Sequence, residues 1–126
     1  MNDDCGLYFV GGEPTKQYLD IVHQNNIQNV HFIGFTEKEK LKLYYAAADL
    51  FVLPTREDIW GLVINEAMAA GLPVITTNRC GAGLELIKNN QNGYLVQVDD
   101  VDDLSNKMHV NINNKLKINT HIIFYI

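Results

Sequence analysis

Three carboxylates, Glu57, Asp58 and Glu66, lie close together in the chain, at places where a protein can offer negative charge to a ligand. Before them runs an apolar stretch, Leu50-Phe51-Val52-Leu53, ended by Pro54, which reads as a buried strand. The polar loop Thr55-Arg56-Glu57-Asp58 follows. Gly61 then leads into an amphipathic helix that Gly71 and Pro73 stop before the apolar run Val74-Ile75. Glu57 and Asp58 are therefore loop residues and Glu66 is a helix residue. In α/β units the loop after a strand's carboxyl end is where ligands bind. An ionised carboxylate there accepts hydrogen bonds from two neighbouring hydroxyls at once. The backbone at Ile59, Trp60 and Gly61, at the helix start, favours an anion through its free N–H groups and the helix dipole. Taken singly, each carboxylate is more often an ordinary surface, loop or cap residue.

The elements that must position these residues alternate along the chain. Leu7–Val10 reads as a strand closed by Gly11-Gly12 and Pro14, and Thr15 as the N-cap of a helix to about Asn25 with Tyr18, Leu19, Val22 and His23 as its apolar stripe. Val30–Ile33 is the next strand. Thr36 and Glu39 form a capping box for a helix to about Ala48 that turns Leu41, Tyr44, Tyr45 and Ala48 inward. After the strand 50–53 come a helix over about 61–70 and a strand over 73–76. Gly81-Ala82-Gly83 reads as a loop, Leu84–Lys88 as a short helix, Tyr94–Val96 as a strand, and a last helix starts near Asp100. This alternation predicts a parallel sheet covered by helices on both faces.

The segment Gly61-Leu62-Val63, followed by Glu66-Ala67-Met68-Ala69-Ala70-Gly71-Leu72-Pro73-Val74-Ile75, resembles the signature of the retaining glycosyltransferases of family 4, also called group 1. Their Glu-x7-Glu motif places its second glutamate at Glu66 and its first at Asp58, eight positions earlier. The aspartate departs from the family's usual glutamate. Either Asp58 fills that role with a shorter arm, or the adjacent Glu57 reaches in from a shifted loop. The resemblance implies a Rossmann-like fold, the C-terminal donor-binding domain of a GT-B glycosyltransferase, here truncated. It also implies that a nucleotide-diphosphate sugar binds as co-substrate. Glu66 would hold the ribose, and Asp58 or Glu57 would engage the transferred sugar. Ile59, Trp60, Gly61 and Leu62 would line the donor site, with Trp60 either a pocket wall or a packing residue. Gly11-Gly12-Glu13-Pro14 and Cys80-Gly81-Ala82-Gly83-Leu84-Glu85 resemble two further family turns, each equally explained as a strand-to-helix connection. The family's Gly-Arg-Leu and lysine, which neutralise the diphosphate, have no counterpart before Leu7. The expected partner is therefore an acceptor-binding domain or chain beyond these residues.

At 126 residues the chain is one domain at most. Its net charge of −5, with basic residues scattered, argues against nucleic acid as the main partner. Cys5 and Cys80 lack metal or redox spacing and His23, His31, His109 and His121 never reach ligand spacing, so no metal and no cofactor beyond the nucleotide sugar is expected. The absence of a signal peptide and of a long apolar run predicts a cytoplasmic chain with no transmembrane segment.

Residues 1–107 are expected to form the partial donor-binding domain. Residues 108–126, rich in Asn, Ile and Lys and without an acidic residue, stand apart as an atypical tail. That tail is either a frameshifted end or an ordinary short helix or edge strand. Three functions compete: a glycosyltransferase, a non-catalytic nucleotide-sugar-binding remnant or interaction module, and a signalling receiver domain with Asp3-Asp4 before its first strand. The receiver needs an aspartate after its third strand and a lysine after its fifth. Here Pro54 and Gln97 stand instead, and that reading fails.

Overall fold

The computed structural model describes residues 5–114 and 120–126. Eleven elements alternate: β1 (Cys5–Val10), α1 (Lys16–Gln24), β2 (Val30–Gly34), α2 (Lys38–Ala47), β3 (Leu50–Leu53), α3 (Leu62–Ala69), β4 (Val74–Thr77), α4 (Gly81–Leu86), β5 (Gly93–Val96), α5 (Val101–Asn114) and β6 (Thr120–Tyr125). The strands make one sheet in the order β2-β1-β6-β3-β4-β5, and every pairing is parallel. This is the expected Rossmann-like α/β architecture, of the kind found in the C-terminal domain of GT-B proteins.

Both faces of the sheet carry helices, as apolar residues on successive strand positions require. On one face Leu41 and Tyr45 of α2, Ile64 and Ala67 of α3, and Ala82 of α4 pack on Val10, Phe51, Leu53, Val74 and Ile123. On the other, Leu104 and Met108 of α5 meet Leu50, Val52, Ile75, Ile122 and Phe124. β3 and β4 are buried along their whole length.

The tail gives the sheet its middle strand. Within 108–126, α5 continues to Asn114, and Thr120–Tyr125 pairs with β1 from Cys5↔Thr120 to Val10↔Tyr125 and with β3 from Leu50↔Ile122 to Val52↔Phe124. The tail thus opens as helix, and its strand is central rather than at an edge. The remaining tail residues, 115–119, lie outside the described residues, as do Asp3 and Asp4. The unbroken run Ile122-Ile123-Phe124 suits a strand covered on both faces. The buried Asp49 fixes its start. The carboxylate Oδ2 accepts from the His121 N–H at 2.9 Å, and the Asp49 N–H donates to the His121 carbonyl at 2.8 Å.

Three local expectations need correction. Thr36 does not cap α2: its hydroxyl donates back to the Gly34 carbonyl at 3.0 Å, and Glu37 occupies the cap position with no side-chain bond. Gly81-Ala82-Gly83 is not a loop but the first turn of α4, where missing side chains matter. A Cβ at Gly81 would run into the Ile59 carbonyl, and one at Gly83 would lie 2.5 Å from Thr76 Cγ2. Thr15 does cap α1, accepting from the Tyr18 N–H at 3.3 Å, yet α1 buries none of its residues. Its inner side is Tyr18, Ile21 and Val22 above a groove of about 280 Å³ floored by Leu7, Phe9 and Phe124, while His23 is exposed.

Candidate functional site

The candidate residues gather at the carboxyl ends of β3 and β4, where two loops are laced together. Thr76 Oγ1 donates to the Leu53 carbonyl at 2.8 Å and Thr77 Oγ1 to the Thr55 carbonyl at 2.7 Å. Further out, the Asp58 N–H donates to the Arg79 carbonyl at 3.0 Å, and the Gly81 N–H returns to the Asp58 carbonyl at 3.2 Å. The Ala82 N–H at 2.7 Å and Cys80 Sγ at 3.1 Å both donate to the Trp60 carbonyl. Arg79 also pairs with Glu57 at 3.5 Å. A loop with this many fixed partners presents its side chains from a defined backbone rather than from an ensemble.

Within that frame the two adjacent carboxylates differ. Glu57 is exposed and turned to Arg79, whereas Asp58 is half-buried and its carboxylate has no hydrogen-bond or ion-pair partner among the described residues. Ile59 projects into solvent, 96% exposed, and Leu62 is 71% exposed. Trp60 folds back along α3, its Nε1 donating to Asn65 Oδ1 at 2.8 Å, and remains a little over one-third exposed.

α3 begins without a side-chain cap, because its N-cap is Gly61. The Ile64 N–H turns back to the Gly61 carbonyl at 2.9 Å, and the N–H groups of Leu62 and Val63 have no partner among the described residues. These open donors sit at the positive end of the helix dipole. Gly61 adopts a left-handed backbone, φ +86°, and a Cβ there would lie 2.8 Å from Cys80 Sγ, so glycine is required twice over. At its far end α3 closes on Gly71 in a Schellman motif, with Leu72 N–H bonded to the Ala67 carbonyl at 3.1 Å and Gly71 N–H to Met68 at 2.9 Å.

Glu66 lies one turn into α3, half-buried, between the sheet-facing Ile64 and Ala67. It accepts no hydrogen bond of normal geometry among the described residues, though the Tyr45 hydroxyl comes near enough to interact with it. Its neighbour across the helix interface is Tyr45 of α2, whose hydroxyl is held well above the usual tyrosine range by burial first and by the Glu66 charge second. Sequence reasoning placed Tyr45 only in the core. Among the residues that shape the site it also passed over Thr76 and Thr77. Two threonines at a strand end were the only signal, and that is not specific. Among the described residues no group of three His, Cys, Asp or Glu side chains could hold a metal ion, and Cys5 and Cys80 are buried and form no disulfide. No helix among them is long and apolar enough to cross a membrane.

Comparison with known proteins follows the same residues. The model of the family described as glycosyl transferases group 1 matches residues 1–123. An uncharacterized glycosyltransferase of Methanocaldococcus jannaschii is 35% identical over 101 residues, covering 79% of this chain and 26% of the relative. A GDP-mannose-dependent alpha-mannosyltransferase of Corynebacterium glutamicum is 36% identical over 97 residues, 77% of this chain and 22% of the relative. The sulfoquinovosyl transferase of Arabidopsis thaliana is 31% identical over 115 residues, 89% and 22%. The chain therefore spans about a quarter of the length of these relatives.

Proposed function

This chain belongs to the group 1 glycosyl transferases, and from that membership we propose that it carries the donor-binding part of a retaining glycosyltransferase acting on a nucleotide-diphosphate sugar. The observation that carries the reading is the α3 start. Open N–H groups at Leu62 and Val63 stand between two carboxylates, Asp58, which has no partner among the described residues, and Glu66, which faces only the Tyr45 hydroxyl. A nucleoside diphosphate offers the matching groups: a ribose diol for Glu66 and a diphosphate for the helix N-terminus. Gly61 lets the backbone approach that diphosphate. Asp58, rather than the ion-paired Glu57, is the carboxylate available to the hydroxyls of the transferred sugar. Trp60, with its N–H already spent on Asn65, offers a ring face to the donor.

The relatives' names support the donor class and leave the sugar and the acceptor open. Exposed Ile59 and Leu62 on this end, with Leu84 on the neighbouring α4, support a second domain or chain that closes over the site. Two buried cysteines without a disulfide fit a reducing cytoplasm. No cofactor besides the nucleotide sugar is required.

The test is calorimetric titration of the chain with UDP, GDP and ADP. Binding of one of them, lost in Glu66→Ala, is the expected result. Absence of binding to all three would favour a remnant that no longer holds a donor. Transfer assays on these 126 residues alone are expected to stay at background, because they span only about a quarter of the length of the relatives.

A further inference from the structure

Tyr45 carries a buried polar atom that nothing satisfies. The residue is 1% exposed, its ring is fixed edge-on against Phe51 with centroids 5.6 Å apart, and its hydroxyl has no hydrogen-bond partner among the described residues. An unpaired buried hydroxyl is unfavourable, and natural folds retain few of them. Tyr45 packs in one core cluster with Ile64 and Ala67, which flank Glu66 on α3, and the Glu66 carboxylate acts on the hydroxyl both by its charge and as a hydrogen-bond acceptor that lies just short of a formed bond. Tyr45 is locked by packing, whereas a glutamate side chain has rotatable bonds enough to close a short gap. The donor is therefore fixed in place and the acceptor is free to move to it.

We propose that Tyr45 is a positioning residue for Glu66: its hydroxyl donates to one carboxylate oxygen when the ribose diol engages the same group. One oxygen held from below leaves the remaining lone pairs aimed at the two ribose hydroxyls, and the carboxylate stops exchanging among rotamers. This rests on the reading of Glu66 as the ribose ligand. It adds that the ribose preference of the site depends on a hydroxyl the nucleotide never touches.

The experiment is titration of the native chain, Tyr45→Phe, Glu66→Ala and the double variant with the best-bound of UDP, GDP and ADP and with its 2′-deoxy counterpart. Tyr45→Phe is expected to weaken the ribonucleotide roughly tenfold, the scale of one charge-assisted hydrogen bond. It should leave the deoxynucleotide almost unchanged and have no further effect once Glu66 is alanine. Its melting temperature should match or exceed the native one, since the lost hydroxyl was unpaired in the free chain. Full ribonucleotide affinity in Tyr45→Phe, with binding still lost in Glu66→Ala, overturns the inference and spares the reading beneath it. Equal weakening of both nucleotides shows a packing effect and overturns it too. A native chain that binds none of the three nucleotides removes the ribose site and the inference together.

Discussion

The two halves of the sheet are built to different standards. On one side β3 and β4 are buried at every residue, α3 and α4 insert Ile64, Ala67 and Ala82 with no exposure, and two loops are bonded to each other at their tips. On the other side β2 alternates between exposed and covered positions, α1 buries nothing, and Tyr18, Ile21 and Ile27 are each more than two-fifths exposed around an apolar groove. The carboxylates and the open helix start lie in the first half. Close packing holds side chains in single rotamers, and a site that must place charge within hydrogen-bonding distance needs that rigidity. The second half makes no such demand. Among the described strand pairings the halves meet only through β6.

That contrast can be broken most severely at the seam. Ile123, 1% exposed in β6, touches the core on the α2–α3 face, and Ile123→Ala is expected to lower unfolding free energy by about 2–5 kcal/mol. Urea denaturation followed by circular dichroism measures it. A loss below about 0.5 kcal/mol would mean that β6 is dispensable and the halves stand alone.

Next in size is the site half itself. Gly61→Ala meets both a left-handed backbone and Cys80 Sγ and should cost about 1–3 kcal/mol. Adding Cys80→Ala should return the steric share but not the backbone share. Complete recovery in the double variant would show that the left-handed conformation carries no strain.

A smaller effect concerns pH. The folded chain keeps the Tyr45 proton above the ordinary value of 10.0, so beyond that pH it binds more protons than the unfolded chain and stability falls as pH rises. Below that value the contribution is fully present. Cys5, raised from 9.0 chiefly by burial, acts in the same direction. Melting curves of Tyr45→Phe across the alkaline range should fall less steeply than the native ones. Parallel slopes would place the hydroxyl in water.

The smallest expected change lies in the loose half. Ile21→Ala, at a residue 46% exposed, should move stability by less than about 0.5 kcal/mol. A loss comparable to that of Ile123→Ala would mean that the groove under α1 is closed in solution, and the contrast between the halves would vanish.

Much of this molecule could be read from the chain because its signals are local. The strand at 50–53, the α3 stop at Gly71 and the Thr15 cap follow from apolar runs, a glycine free to turn left-handed and a hydroxyl that bonds three residues ahead. The carboxylates at 58 and 66 were legible as a pair only through the resemblance to the Glu-x7-Glu motif, with Gly61 and Pro73 agreeing as the bounds of the helix. Thr36 and the Gly81–Gly83 turn misled, since a capping box and a glycine cluster describe local options that tertiary contacts then overruled.

What the sequence determined by itself was the alternation of elements, hence the parallel sheet, and the residues that could carry charge at its carboxyl edge. Order across the sheet was not in it. A strand's partners lie far along the chain, and an apolar run such as Ile122-Ile123-Phe124 fits any fully covered position equally well. Only the folded structure set β6 between β1 and β3, bonded Cys80 to the Trp60 carbonyl, and brought the unpaired Tyr45 hydroxyl beside Glu66. Those contacts are decided by which buried groups must share space, and neighbours in sequence do not reveal neighbours in a core.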